Sequence, residues 1–80
     1  MHELAIVESI MELVENAAAG QKILKVTVEV GLLTCVSPEA LSFGFSLLAE
    51  GTIAHGAEFD IRRVAGDQLS VKSIEVEGHA

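Results

Sequence analysis

Eighty residues with half of them apolar and only three aromatic make one domain with a core of Leu, Ile, Val and Ala, near the size where a single core just suffices. A formal net charge of −7 from 12 acidic residues excludes a nucleic-acid surface, because no basic stripe is there to replace condensed counterions. Such an acidic surface tolerates divalent cations or a basic partner.

The chain opens on Met1-His2-Glu3, which places an imidazole one residue from an α-amino group. A metal held by the Met1 amine and the deprotonated amide of His2 closes a five-membered ring, and Nδ1 of His2 closes a fused six-membered ring. Three nitrogens then lie in one plane. That suits Ni(II) or Cu(II), whereas zinc prefers a tetrahedral set. The fourth corner is left to Glu3 or to His55 and His79, the other histidines of the chain.

From Glu3 to about Ala19, Leu4, Val7, Met11 and Val14 recur at helical spacing with Ile6, Ile10, Leu13 and Ala17 beside them, and Glu8, Glu12 and Glu15 fall opposite. This predicts an amphipathic helix stopped by Gly20. The tripeptide therefore sits at a helix tip, where the dipole slightly disfavours a cation and deprotonated nitrogens or Glu3 must offset it. Lys22 to Gly31 alternates as a strand, with Leu24, Val26, Val28 and Val30 on one side and Lys25, Thr27 and Glu29 on the other. Cys35, in the short connection after it, is read as a small buried hydrophobe.

Ser37-Pro38-Glu39 is a helix start in which N-cap, N1 proline and first-turn carboxylate agree. The helix runs to about Glu50, with Leu41, Phe45 and Leu48, helped by Phe43 and Leu47, facing the core. After the loop bearing His55, residues Ala57, Phe59 and Ile61 alternate with Glu58, Asp60 and Arg62 as a second strand. Ala65-Gly66-Asp67-Gln68 forms a turn, and Leu69 to Glu77 is a third strand whose phase slips near Lys72-Ser73, which predicts a bulge. The order α-β-α-β-β gives a two-layer α/β sandwich: a mixed three-stranded sheet with both helices on one face. Its first two strands are parallel and its last two form a hairpin. A free edge on so small a sheet invites a homodimer.

One cysteine rules out a disulfide framework and fits a reducing compartment. The acidic N-terminus has no apolar run of a signal peptide, and no stretch nears the ~20 apolar residues of a spanning helix. A cytoplasmic location without membrane contact is expected. No nucleophile–base pair or phosphate-binding glycine loop is visible, so an enzyme is not expected.

Met1-His2-Glu3-Leu4, Val28-Glu29-Val30-Gly31, the run Leu33 to Leu41, Phe45, Glu50-Gly51-Thr52, Gly56-Ala57-Glu58 and Val71 to Val76 together resemble the HypA family, the nickel metallochaperones of [NiFe]-hydrogenase maturation. The resemblance covers nearly all of residues 1–80 as a single nickel-binding domain. It implies that His2 is the essential Ni(II) ligand, that the Met1 amine and His2 amide are further donors, and that Glu3 tunes or completes the site. It also implies a partner GTPase and a hydrogenase large subunit. The family carries a zinc domain with two Cys-x-x-Cys pairs between its last two strands; here the turn 65–68 stands in that place, no Cys-x-x-Cys exists, and no structural zinc is expected. A natural paralogue and an engineered deletion both fit. The alternative function is an interaction or structural module tied to a hydrogenase or its assembly factors, with the fold kept and metal delivery lost.

Overall fold

The computed structural model describes residues 2–78, the side chain of His2 excepted. Helix α1 (His2–Ala18) leads to strand β1 (Ile23–Gly31), a single 3-10 turn (Leu32–Thr34), helix α2 (Pro38–Ala49), and strands β2 (Glu58–Val64) and β3 (Leu69–Val76). This is the predicted α-β-α-β-β order. Helix α1 ends where Ala19 and Gly20 both take positive φ, 53° and 85°. Gly20 adopts that conformation without steric cost. At the start of α2, the Ser37 Oγ accepts a hydrogen bond from the Ala40 N–H at 3.2 Å, with Pro38 at the first helical position.

The sheet order is β2-β1-β3. Strand β1 pairs in parallel with β2, Val26 beside Phe59 and Val28 beside Ile61, and antiparallel with β3, Val26 beside Ile74 and Val28 beside Val71. The expected hairpin between the last two strands therefore does not form, because β1 lies between them. The physical reason is burial: Val26, Val28 and Val30 are fully enclosed, and a strand so placed needs partners for its backbone groups on both sides. The turn 65–68 must then cross two strand spacings, about 9.6 Å, over the end of β1. It is held there by the Gly31 N–H donating to the Gln68 carbonyl at 2.7 Å and the Leu33 N–H donating to the Gly66 carbonyl at 2.9 Å.

The predicted slip in β3 is present: Thr27 faces Ser73 and Val28 faces Val71, so Lys72 is the extra residue of a bulge. A second irregularity lies between Ile23 and Lys25. It reverses the expected facing at the start of β1, so that Ile23 is buried and Leu24 is exposed.

Both helices cover one sheet face. The core joins Val7, Ile10, Met11 and Val14 of α1 to the β1 valines and to Leu41 and Phe45 of α2. Phe45 stacks on Phe59 with ring centroids 4.4 Å apart. Gly44 lets α2 approach α1: a Cβ there would lie 3.3 Å from the Val7 side chain. The other sheet face is polar, with Lys25 beside Glu58, Thr27 beside Asp60 and Glu29 beside Arg62. Among the described residues, no helix is long and apolar enough to cross a membrane.

Candidate metal centre

Helix α1 begins at His2, so the His2 N–H belongs to the first turn and has no acceptor within the helix. An amide in that position can give up its proton to a metal without breaking the helical ladder. Met1, His79 and the His2 side chain lie outside the described residues.

Of the tripeptide, Glu3 is the residue whose side-chain surroundings the structure describes. Its Oε2 accepts a hydrogen bond from the Ser37 N–H at 3.3 Å, tying the first turn of α1 to the N-cap of α2. Both helices run against β1, so their N-terminal ends meet at the end of the molecule where β1 and β2 finish and the turn 65–68 crosses. The tip is thus anchored to the fold at its third residue. Hydrogen bonds from Glu3's own backbone N–H and from the Ser37 N–H hold its carboxyl below the ordinary value of 4.5. It stays ionised at neutral pH and places a negative charge beside two positive helix ends, which offsets the dipole penalty on a bound cation.

The sign of the pH effect follows. A carboxyl with a lowered folded pKa contributes stability above its unfolded value and loses it as pH falls through the folded one. Urea denaturation of wild type and Glu3→Gln should show the wild type ahead at pH 7 and its lead vanishing on acidification below 4.5; a lead that persists in acid removes the carboxylate from this role.

The structure does not bring His55 to this end. His55 lies in the loop after α2, where its carbonyl oxygen accepts from the Lys22 Nζ at 2.7 Å. It lines a cavity of about 280 Å³ with Ser46 and Glu50. The 12 residues of α2 separate that loop from Ser37 by about 18 Å. The last described residue, Gly78, is also at the far end, since the Glu77 N–H donates to the Lys22 carbonyl at 2.8 Å.

Cys35, in contrast, is exposed and takes φ 58° as the cap of the 3-10 turn, which corrects its reading as a packed residue. The reason is local: Thr34 Oγ1 donates to the Gly31 carbonyl at 2.8 Å and accepts from the Val36 N–H at 3.3 Å. That hydroxyl-centred turn carries residue 35 away from the core, and Thr34 was the only sequence signal for it. Among the described residues, no group of three or more His, Cys, Asp or Glu side chains gathers to hold a metal.

Fold and tip together define a small α/β module with a histidine-bearing, carboxylate-anchored helix end. Residues 1–70 match the family model described as hydrogenase/urease nickel incorporation, metallochaperone, hypA, and the chain belongs to this HypA family. It is 44% identical to the hydrogenase maturation factor HypA of Geobacter sulfurreducens, over 82% of this chain and 60% of that protein. It is 45% identical to the factor of the same name in Rhodopseudomonas palustris, over 82% of this chain and 61% of the relative. The chain thus spans about three-fifths of the length of these relatives. The solution structure of the Ni metallochaperone HypA from Helicobacter pylori has the same fold, with a TM-score of 0.71 at 20% identity, over 89% of this chain and 70% of that one.

Proposed function

We propose that this chain is a Ni(II)-binding module for hydrogenase maturation that holds nickel at Met1-His2-Glu3. The Met1 amine, the His2 amide nitrogen and the His2 Nδ1 supply three planar donors. The fourth corner stays open for a donor from the recipient or from a second copy, where His55 or His79 of that copy would serve. Glu3 acts through its charge and by anchoring the tip, since its carboxylate is already engaged with Ser37. The anchored helix start is the observation that carries the reading, supported by a family match that begins at residue 1.

An open corner is what a carrier needs. Nickel enters by displacing protons from nitrogen donors, and it leaves when a recipient's ligand takes the free position and protons return to the amine and amide. No covalent bond of a substrate is made or broken, so the module is a carrier and not an enzyme. By its family it would serve a hydrogenase large subunit together with a GTPase, in the cytoplasm. The single domain of residues 1–80 would do this without a structural zinc.

Calorimetric titration with Ni(II), read together with the ligand-field absorption of square-planar nickel, tests the proposal on protein carrying an unmodified Met1. Wild type is expected to take up one Ni(II) per chain with that absorption, and His2→Ala is expected to show neither heat nor band. If the two proteins behave alike, metal delivery is lost and the interaction module remains. Cu(II) should bind more tightly still at an all-nitrogen site, which leaves selectivity to metal supply and partners.

A further inference from the structure

We propose that the groove between α1 and α2, beside the metal-bearing tip, is a docking site for a basic amphipathic helix of a partner protein. Phe43 and Leu47, expected to help fill the core, instead stand 67% and 52% exposed, and Leu4 is 48% exposed. Together with Glu3, Ala40 and Gly44 they line a groove of about 270 Å³. Gly44 deepens it by removing a side chain where the two helices touch.

Charge decides the occupant. All five basic residues of the chain, Lys22, Lys25, Arg62, Arg63 and Lys72, lie on or beside the strands. There, Arg62 pairs with Asp60 at 3.3 Å and Lys72 with Glu29 at 3.8 Å. The helices carry no Lys or Arg. Along α2, Glu39, Phe43 and Leu47 follow one another at one-turn intervals, and along α1, Leu4, Glu8 and Glu12 do the same. The groove is an apolar strip with the Glu3 carboxylate in its lining and two helices without Lys or Arg beside it.

A second copy presenting the same face would set carboxylates against carboxylates, which costs affinity. A helix with two apolar anchors one turn apart, about 6 Å, and Lys or Arg one turn beyond each anchor would match the strip in both respects. Because the groove begins at Glu3, such a helix would bring its protein against the metal-bearing end. The surface itself does not depend on metal being bound.

The probe is a synthetic Leu/Lys amphipathic helix of about 16 residues, some 24 Å long, with a Leu/Glu peptide of equal length as its counterpart. Fluorescence anisotropy should show binding of the Leu/Lys peptide and not of the Leu/Glu peptide, with amide NMR shifts centred on Leu4, Phe43 and Leu47. Phe43→Ser, at an exposed position where folding is not at stake, should weaken binding by about tenfold or more, as loss of an aromatic anchor does. The same variant should titrate with Ni(II) as wild type does, so that failure here and failure of the nickel reading are separate results. Unchanged affinity in Phe43→Ser would reduce the effect to general acidity and overturn the site. Concentration-dependent shifts at these residues in the protein alone would also overturn it, by assigning the groove to a second copy.

Discussion

Acetylation of the Met1 amine is expected to abolish square-planar Ni(II) binding while leaving the fold unchanged. Acetylation removes one donor directly, since the lone pair of an acylated nitrogen is delocalised into its carbonyl and the basic amine that first captures the metal is gone. It also removes the reason for the second. The His2 amide gives up its proton only because a metal already held by the neighbouring amine can close a five-membered ring onto it. What remains is an imidazole and a carboxylate that is occupied by the Ser37 N–H, which is no planar set. Helix α1 should persist, because its stability comes from Val7, Ile10, Met11 and Val14 packed in the core and not from the first residue. Far-UV circular dichroism should therefore coincide for the two forms while the ligand-field band separates them.

The same chemistry sets the pH dependence. Ordinary α-amino groups titrate near 7.7–8.0 and imidazole near 6.5, so nickel competes with protons at both, and it must displace the amide proton at any pH. Affinity should rise with pH across that range and fall steeply below about 6.5. Calorimetry in buffers of different ionisation enthalpy should find about two protons released per nickel near neutrality. A wild-type affinity independent of pH, or an acetylated chain with the same absorption, would show that the nickel sits elsewhere.

Gly31→Ala should be the most damaging single methyl in the protein. An added Cβ would fall onto the Gly66 carbonyl oxygen and lie 2.9 Å from the Gln68 backbone nitrogen. Neither neighbour is a flexible side-chain end. To make room, the crossing turn must lift off β1 and strain or break the bonds from the Gly31 and Leu33 N–H groups. Overpacking of this kind costs about 1–3 kcal/mol, and each backbone bond lost adds about 1 kcal/mol. A domain of this length has a total stability of only about 4–12 kcal/mol. Urea denaturation should thus show a large drop in midpoint. Nickel stoichiometry at low temperature should stay at one per chain, because the tip is anchored through Ser37 and not through the turn. A midpoint equal to wild type would mean that the turn is not seated on Gly31.

How much of this was legible beforehand divides by distance along the chain. The start of α2 was legible because Ser37, Pro38 and Glu39 each satisfy a local need of a helix end. The Lys72 bulge was legible because a period of two cannot slip without an extra residue. The amine–imidazole spacing at Met1 and His2 is a property of adjacent residues, and the resemblance to the HypA family is carried by short runs read in order. All of these are determined by contacts within a few positions.

The strand order was not, because a turn such as Ala65-Gly66-Asp67-Gln68 serves a hairpin or a crossing equally well, and only the deep burial of β1 puts it between β2 and β3. Nor could alternation tell which apolar residues of α2 stay outside. Phe43 and Leu47 have the spacing of core residues, and they are exposed because α2 turns Leu41, Gly44 and Phe45 inward against α1 and the sheet. The meeting of Glu3 with Ser37, the distance of His55 from that end, and the exposure of Cys35 likewise depend on how the elements pack. The residues at the tip were determined by the sequence itself, since adjacent residues carry the donor set. Whether that tip is held, and what surface lies beside it, was decided only by tertiary structure, because both depend on groups far apart in the chain that folding alone brings together.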